Sequence, residues 1–381
     1  MPKTQTSAAS KARKKPAWIP KKLGGEYPQL TSLNKTLQDP RTGKFYIYGG
    51  LAPGDTRNLP KPDFYVCDTK DMKFTDLTDS LTYTPRSVLG SELRVKKRLP
   101  ALLGAGISLM EVGSCSLIFL FGGHNADEDN KPSSTLIAID PERKEWWIVE
   151  FEDEFPSPVP RINPVLVAAN QKLYIFGGIK QFEANWAHHK TYSIVDVELP
   201  LAGPNRWKWA ALDIPYPRIV KNQIFGYALS VHDGMMILLL PGRKTRKAKL
   251  DFQFKTMFYF LPSSNNFFLM GKPKGYKALS DCVHWYGARN FDPLSVLLCA
   301  WIPHSRGYLV PELWQYSIFP DNKVVCLGVG QKVFDLDIDL RHFTVVGDKM
   351  FLMGQTNEDN KDDYPGTMCD TYVEVSMASL L

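Results

Sequence analysis

Phe45-Tyr46-Ile47-Tyr48-Gly49-Gly50, Ile118-Phe119-Leu120-Phe121-Gly122-Gly123 and Leu173-Tyr174-Ile175-Phe176-Gly177-Gly178 are three versions of one phrase, an apolar run that stops on two glycines. With 27 glycines in 381 residues, an aromatic followed by Gly-Gly is expected about 0.2 times by chance, so three occurrences mark a repeat. Weaker copies are Leu238-Leu239-Leu240-Pro241-Gly242, Leu297-Leu298-Cys299-Ala300-Trp301 and Phe351-Leu352-Met353-Gly354-Gln355. The six end at positions 50, 123, 178, 242, 301 and 355, spaced by 73, 55, 64, 59 and 54 residues.

A second landmark follows the first. Phe64-Tyr65-Val66-Cys67-Asp68 leads to Phe74 and Leu136-Ile137-Ala138-Ile139-Asp140 leads to Trp146, each six residues after the aspartate. Met257-Phe258-Tyr259-Phe260-Leu261 reaches Phe267 at the same offset, while the segment from Tyr192 to Asp196 reaches Trp207 after an insertion. Upstream of the glycines lies another apolar stretch, such as Pro164–Ala169 or Phe225–Val231, introduced by Pro160-Arg161 or Pro217-Arg218. The unit therefore reads as strand, strand, Gly-Gly, variable loop, strand ending in Asp, tight turn, strand opened by an aromatic.

This unit resembles the kelch repeat, most closely in the second and third copies. The resemblance covers residues 16–377 and implies an all-β fold, a six-bladed β-propeller with four antiparallel strands per blade. Residues 1–15 are read as a basic flexible tail and 378–381 as a short C-terminal tail. The sixth copy stops after its third strand, Tyr372–Val375, and Ala17-Trp18-Ile19-Pro20 is expected to supply the fourth. Glycines 49, 50, 122, 123, 177 and 178 are expected where a buried strand leaves a crowded ring. The aromatics Trp146, Trp207, Phe74 and Phe267 are expected to pack between blades.

Composition narrows the function. The chain is 44% apolar and 23% charged, proportions of a folded protein. Seven of its 46 Lys and Arg fall in residues 1–25, which hold no acid, so the remainder carries 39 basic against 40 acidic residues. A neutral body disfavours nucleic acid, which calls for a positive stripe over the fold. Apolar runs such as Met235–Leu240 are far short of the roughly 20 residues a bilayer span needs, and no apolar segment follows the early charges as in an export signal. The six cysteines include no CxxC and read as buried free thiols. An intracellular, cytoplasmic protein is expected, with Lys11-Ala12-Arg13-Lys14-Lys15 a possible nuclear signal.

No catalytic or metal-binding pattern stands out in the sequence. The seven histidines form no HxxxH or HExxH, and the adjacent His188-His189 read as surface residues. Asp335, Asp337 and Asp339 lack the glycine and glutamate of a calcium loop and read as one acidic strand face. A phosphate cradle at the glycines would need a following helix, where loop and strand are read instead. No cofactor, metal or catalytic residue is assigned. What varies is the loop face, where second-to-third strand loops meet the crossovers between blades. It offers Asp127, Asp129 and Asp362 as acids, Arg243, Arg246 and Lys249 as bases, and Phe182, Trp186, His188, His304, Arg306 and Tyr308 as anchors. Mixed charge with aromatics suits a protein or peptide partner. A non-enzymatic scaffold or adaptor is the favoured expectation. An enzyme or ligand-binding propeller with its site at the channel mouth is the alternative.

Overall fold

The computed structural model describes residues 20–26, 28, 35–39, 41–50, 61–84, 97–125, 131–151, 158–180, 188–197, 207–220, 225–241, 257–271, 273–275, 284–292, 295–303, 309–318, 320–329, 338–346, 349–356 and 371–376, with only the backbone in parts of the last third. The fold is all-β. Its one helical segment among these residues is a single 3₁₀ turn, Thr78–Ser80.

Six sheets follow one another along the chain, each built on a four-stranded antiparallel meander. Sheet one holds Lys35–Asp39, Lys44–Tyr48, Phe64–Asp68 and Lys73–Asp76. Sheet two holds Gly106–Val112, Cys115–Phe121, Leu136–Asp140 and Glu145–Ile148. Sheet three holds Val165–Ala169, Lys172–Phe176, Thr191–Val197 and Trp207–Pro215. Sheet four holds Phe225–Val231, Met236–Pro241, Phe258–Leu261 and Asn266–Leu269. Sheet five holds His284–Asp292, Ser295–Pro303, Leu309–Ser317 and Lys323–Val329. Sheet six holds Ile338–Val346, Lys349–Thr356 and Thr371–Ser376, and its fourth strand is Pro20–Lys22 from the other end of the chain.

That fourth strand corrects the expected boundary. Pairing runs Pro20 to Val373, Lys21 to Tyr372 and Lys22 to Thr371, so the strand begins where the expected one ends. A charge pair explains the register: Lys21 Nζ lies 3.0 Å from Glu374, which also meets Lys349 at 2.7 Å. The two ammonium groups hold the Glu374 carboxyl below the usual carboxylate range. Ala17, Trp18 and Ile19 lie outside the described residues.

The second strands carry unbroken apolar runs in their middles because both of their faces are buried there. Alternate side chains of Lys44–Tyr48 serve different neighbours, as a two-residue period requires. Tyr46 and Tyr48 pack with Ile118, Leu120 and Trp146 of sheet two, while Phe45 and Ile47 pack with Phe351 and Met353 of sheet six. Phe119, Phe121 and Trp147 meet Leu173 and Ile175 in the next core. Beyond it Tyr174 and Phe176 meet Ile237, Leu239 and Phe260, and Leu238 and Leu240 meet Val296 and Leu298. Trp146 and Trp147 are both fully buried, facing opposite neighbours. Each such side chain contributes roughly 1.5–3 kcal/mol of apolar burial. Phe74 and Phe267 are buried as expected, and the Trp207 side chain lies outside the described set.

The first strands pack in succession from sheet one to sheet six. From sheet six, the buried Thr344 hydroxyl donates to Gln38 Oε1 of sheet one at 2.8 Å, across 306 residues of sequence. The aspartates that end third strands hold the following turns. Asp140 Oδ1 accepts from the amides of Glu142 and Arg143, and Asp68 Oδ1 from that of Lys70. In four sheets, whether or not an aspartate ends the third strand, the residue just before the outer strand is left-handed: Met72, Lys144, Asn265 and Asn322, with φ of 54°, 55°, 54° and 44°.

Two additions were not expected. Gly24–Gly25 runs parallel to the outer strand of sheet one, and Thr82–Tyr83 parallel to that of sheet two. Leu102–Leu103, His124–Asn125 and Lys131–Pro132 form a separate three-stranded sheet.

The six expected glycines all have positive φ, and Gly122 shows what that achieves. A Cβ there would lie 2.4 Å from the Arg161 carbonyl oxygen. Gly271 also has φ of +71° but nothing within 4 Å of a would-be Cβ. Gly122→Ala is expected to destabilise by more than about 2 kcal/mol and Gly271→Ala by about 1 kcal/mol, the backbone strain alone. Urea denaturation of the two variants measures the difference, and equal losses would contradict the close-approach role.

Candidate functional site

The glycine pairs gather the crossovers at one end of the sheets. Gly123 N–H donates to Arg161 O at 2.7 Å, Arg161 N–H to Ser133 O at 3.1 Å, and Ser133 N–H to Gly123 O at 2.8 Å, closing a small backbone circuit. Sheet one uses a side chain for the same purpose. The Tyr48 hydroxyl donates to Pro100 O at 2.6 Å and accepts from Leu102 N–H at 3.0 Å. Burial pushes the Tyr48 neighbour Tyr46 and also Tyr216 well above the usual phenol range, so both stay protonated.

Arg161 is the centre of this end and is fully buried. One guanidinium nitrogen donates to Gly177 O at 2.8 Å and Thr191 O at 3.0 Å; the other donates to Thr191 Oγ1 at 2.8 Å and to the Asp213 carboxylate. Asp213 sits where the third and outer strands of sheet three shift register, with φ of 46°. It also accepts from Ser193 Oγ at 3.3 Å and from Val159 N–H at 2.9 Å. A buried guanidinium needs this many acceptors, because an unpaired one would be far too costly to desolvate. The clamp thus ties the crossover before sheet three to the outer strand of the same sheet. The second Pro-Arg differs, for Arg218 is exposed.

The histidine pair is a correction. His188 is half-buried, its backbone bridged to Ile179, and His189 is 5% exposed rather than on the surface. His189 N–H donates to Gly178 O, and its Nε2 lies 3.1 Å from Pro160 O, so the ring is folded beneath the glycine turn. Burial first, and the Arg161 charge second, lower its pKa to about 4. Burial also lowers that of His188. Cys67 is buried and its thiol is pushed up to about 12, an inert group, while Cys115 is only half-buried, contrary to expectation.

Between the first strands of sheets one to four lies a cavity of about 330 Å³. Its described lining offers Thr36, Gln38, Ser108, Tyr227 and Ser230 as polar groups and no carboxylate, imidazole, thiol or amine. Among the described residues no cluster of three His, Cys, Asp or Glu is placed to hold a metal, and no helix is long and apolar enough to cross a membrane.

Of the loop-face residues picked out in the sequence, Phe182, Trp186, Asp127, Asp129, Arg243, Arg246, Lys249, His304, Arg306, Tyr308 and Asp362 lie outside the described residues, as do Asp335 and Asp337. His188 is described and sits beside the clamp. The described surface near the clamp carries exposed apolar side chains: Val159 on the crossover before sheet three, 42% exposed, Ile214 at the end of its outer strand, 37%, and Ile219 on the crossover after it, 50%. Arg161, Asp213 and His189 were not singled out as site residues; the Pro-Arg signature was the available signal for the first.

These are the features of a kelch-type repeat protein: Gly-Gly at the ends of buried strands, an Asp-held turn, and a buried Trp opening the outer strand. The chain is similar to Kelch repeat and BTB domain-containing protein 1 of cowpox virus (strain Brighton Red), 28% identical over 138 residues. That stretch is 36% of this chain and 19% of the length of the viral protein. The likeness supports the kelch-repeat reading. No protein-family profile matches the chain.

His189 gives the site a pH signature. Its folded pKa near 4 lies below the ordinary 6.5, so its neutral form stabilises the fold fully above pH 6.5. That stability is lost as pH falls from 6.5 to 4, on the order of 3 kcal/mol by the lower limit. His189→Gln is expected to show a shallower fall in unfolding free energy over this window. Coincident slopes for the two proteins would contradict the burial of a neutral ring.

Proposed function

We propose that the six sheets are the blades of a closed six-bladed kelch propeller, and that the protein is a non-enzymatic scaffold holding a protein or peptide partner on its loop face. Closure is supported by the Pro20–Lys22 pairing, the Thr344–Gln38 bond and the succession of first strands around one cavity. The kelch-repeat relative supports a protein–protein interaction role at the level of class.

The observation that carries the loop-face reading is the exposure of Val159, Ile214 and Ile219 around the Arg161–Asp213 clamp, which bonds the crossover before sheet three to the end of its outer strand. Apolar side chains held in solvent on an ordered backbone lose little conformational freedom on binding, which favours partner capture. The polar groups of the cavity lack an acid–base pair, so nothing there favours the enzymatic alternative.

The test is affinity purification of the full chain from its native cell with quantitative mass spectrometry. Val159→Asp with Ile219→Asp is expected to deplete the specific partner more than about tenfold, with an unchanged melting temperature because both residues are exposed. Undiminished recovery would contradict a loop-face site at these crossovers.

A further inference from the structure

One short segment closes the junction of sheets six and one from the outside. Its first half, Pro20–Lys22, pairs antiparallel with residues 371–373, and Gly24–Gly25 then runs parallel to Lys73–Asp76, the outer strand of sheet one. Gly24 and Glu26 donate their N–H groups to Met72 O and Phe74 O, both at 3.2 Å. Between the two pairings Leu23, 6% exposed, enters a core with Phe45, Cys67, Met72, Phe74 and Phe351. Lys21, Lys22, Gly25 and Glu26 stay exposed. Among the described side chains of this strap, residues 20–26, the leucine alone is committed to the interior.

Beneath the strap the two sheets meet by contacts of their own. Phe45 and Ile47 share a core with Phe351 and Met353. Thr344 Oγ1 donates to Gln38 Oε1 at 2.8 Å, and the Val346 side chain comes within 3.4 Å of a would-be Cβ on Gly43. None of these contacts uses residues 20–26. The junction therefore has two layers. The inner one is carried by first and second strands and the turn between them, and the outer one by the strap. An opening costs roughly what it unburies, so release of the strap is a smaller event than parting the sheets.

The slot that the strap fills is selective at three alternate positions. Lys21 Nζ meets Glu374 at 3.0 Å and lies 5.8 Å from the centre of the Tyr372 ring, which calls for a cation. Leu23 fills the apolar gap two residues on. Gly25 has φ of +76°, and a Cβ there would run into Phe74 O, so the third position calls for glycine. At Gly24, by contrast, a Cβ would have nothing nearer than 3.9 Å. We propose that residues 20–26 are an exchangeable strap, which leaves its slot while the inner layer of the junction holds, and that the slot recognises a cation, a leucine and a glycine at alternate positions. The occupant is this segment of the chain, and the same segment supplied from outside competes for the place. Attachment to the chain gives the resident strap a high effective concentration, so the closed state is the resting one. The proposal rests on the meeting of sheets six and one, which Gln38 and Thr344 examine separately.

Cys67, fully buried in the core that Leu23 seals, reports release of the strap. Its alkylation by iodoacetamide in the full-length protein is followed by peptide mass spectrometry, beside amide exchange at Ile175 in sheet three. A small opening exposes little surface, so the Cys67 rate is expected to stay nearly flat in dilute urea while exchange at Ile175 rises steeply. Leu23→Ala is expected to speed alkylation of Cys67 at least tenfold, and Lys21→Glu, at an exposed residue, at least threefold. The acetylated, amidated peptide Pro20-Lys21-Lys22-Leu23-Gly24-Gly25-Glu26, at millimolar concentration, is expected to slow it again at least fivefold in both variants, saturably. The same peptide carrying Leu23→Ala or Gly25→Ala is expected to have no effect. A Cys67 rate as steep in urea as that of Ile175, no slowing by the peptide, or equal slowing by the altered peptides would each overturn the strap and leave the meeting of the sheets standing. Cys67 as reactive as a free thiol in the unaltered protein would overturn both.

Discussion

The close approach of a crossover backbone to the end of a buried strand is the constraint on which this structure depends. Second strands such as Cys115–Phe121 have both faces in cores, so they can leave only by a turn that costs no side-chain room. Gly122 and Gly123 provide that turn, and the space they vacate is filled by the Arg161 carbonyl, bonded by Gly123 N–H. Buried backbone groups that would otherwise be orphaned are satisfied in the same step. A position that looks like a flexible link is therefore among the most tightly specified in the molecule.

The buried charge at this end is met by acceptors on both terminal guanidinium nitrogens, while Arg161 Nε has no partner among the described residues. Arg161 has four acceptors, and one of them, Asp213, is held in turn by Ser193 and by the backbone of Val159. Such a clamp contributes little net free energy relative to an apolar replacement, but it specifies one arrangement of strand and crossover. It leaves Val159 and Ile214 exposed beside it, with the Val159 N–H bonded to Asp213.

The repeat was legible because its signals are local. Gly-Gly after an aromatic run, an aspartate that accepts amides two and three residues ahead, and an aromatic opening the outer strand all act within a few residues. What was illegible depends on contacts across the chain. His188-His189 reads as a polar loop, and only the bridge to Ile179 and the Pro160 carbonyl bring His189 under the glycine turn. Trp147 beside Trp146 gave no hint that adjacent indoles fill two different cores. The strand covers at Gly24–Gly25 and Thr82–Tyr83 escaped notice because two residues carry no periodicity. The fourth strand of sheet six was expected two or three residues early, since its register is set by Glu374 at the far end of the sequence.

The proposed closure brings sheets one and six together through Gln38 and Thr344. A double-mutant cycle on Gln38→Ala and Thr344→Val, read by equilibrium urea unfolding, examines that junction most directly. Contact across the junction predicts a coupling free energy of about 0.5–1.5 kcal/mol between residues 306 apart in sequence. Additive losses, with no coupling beyond error, would contradict the closed ring.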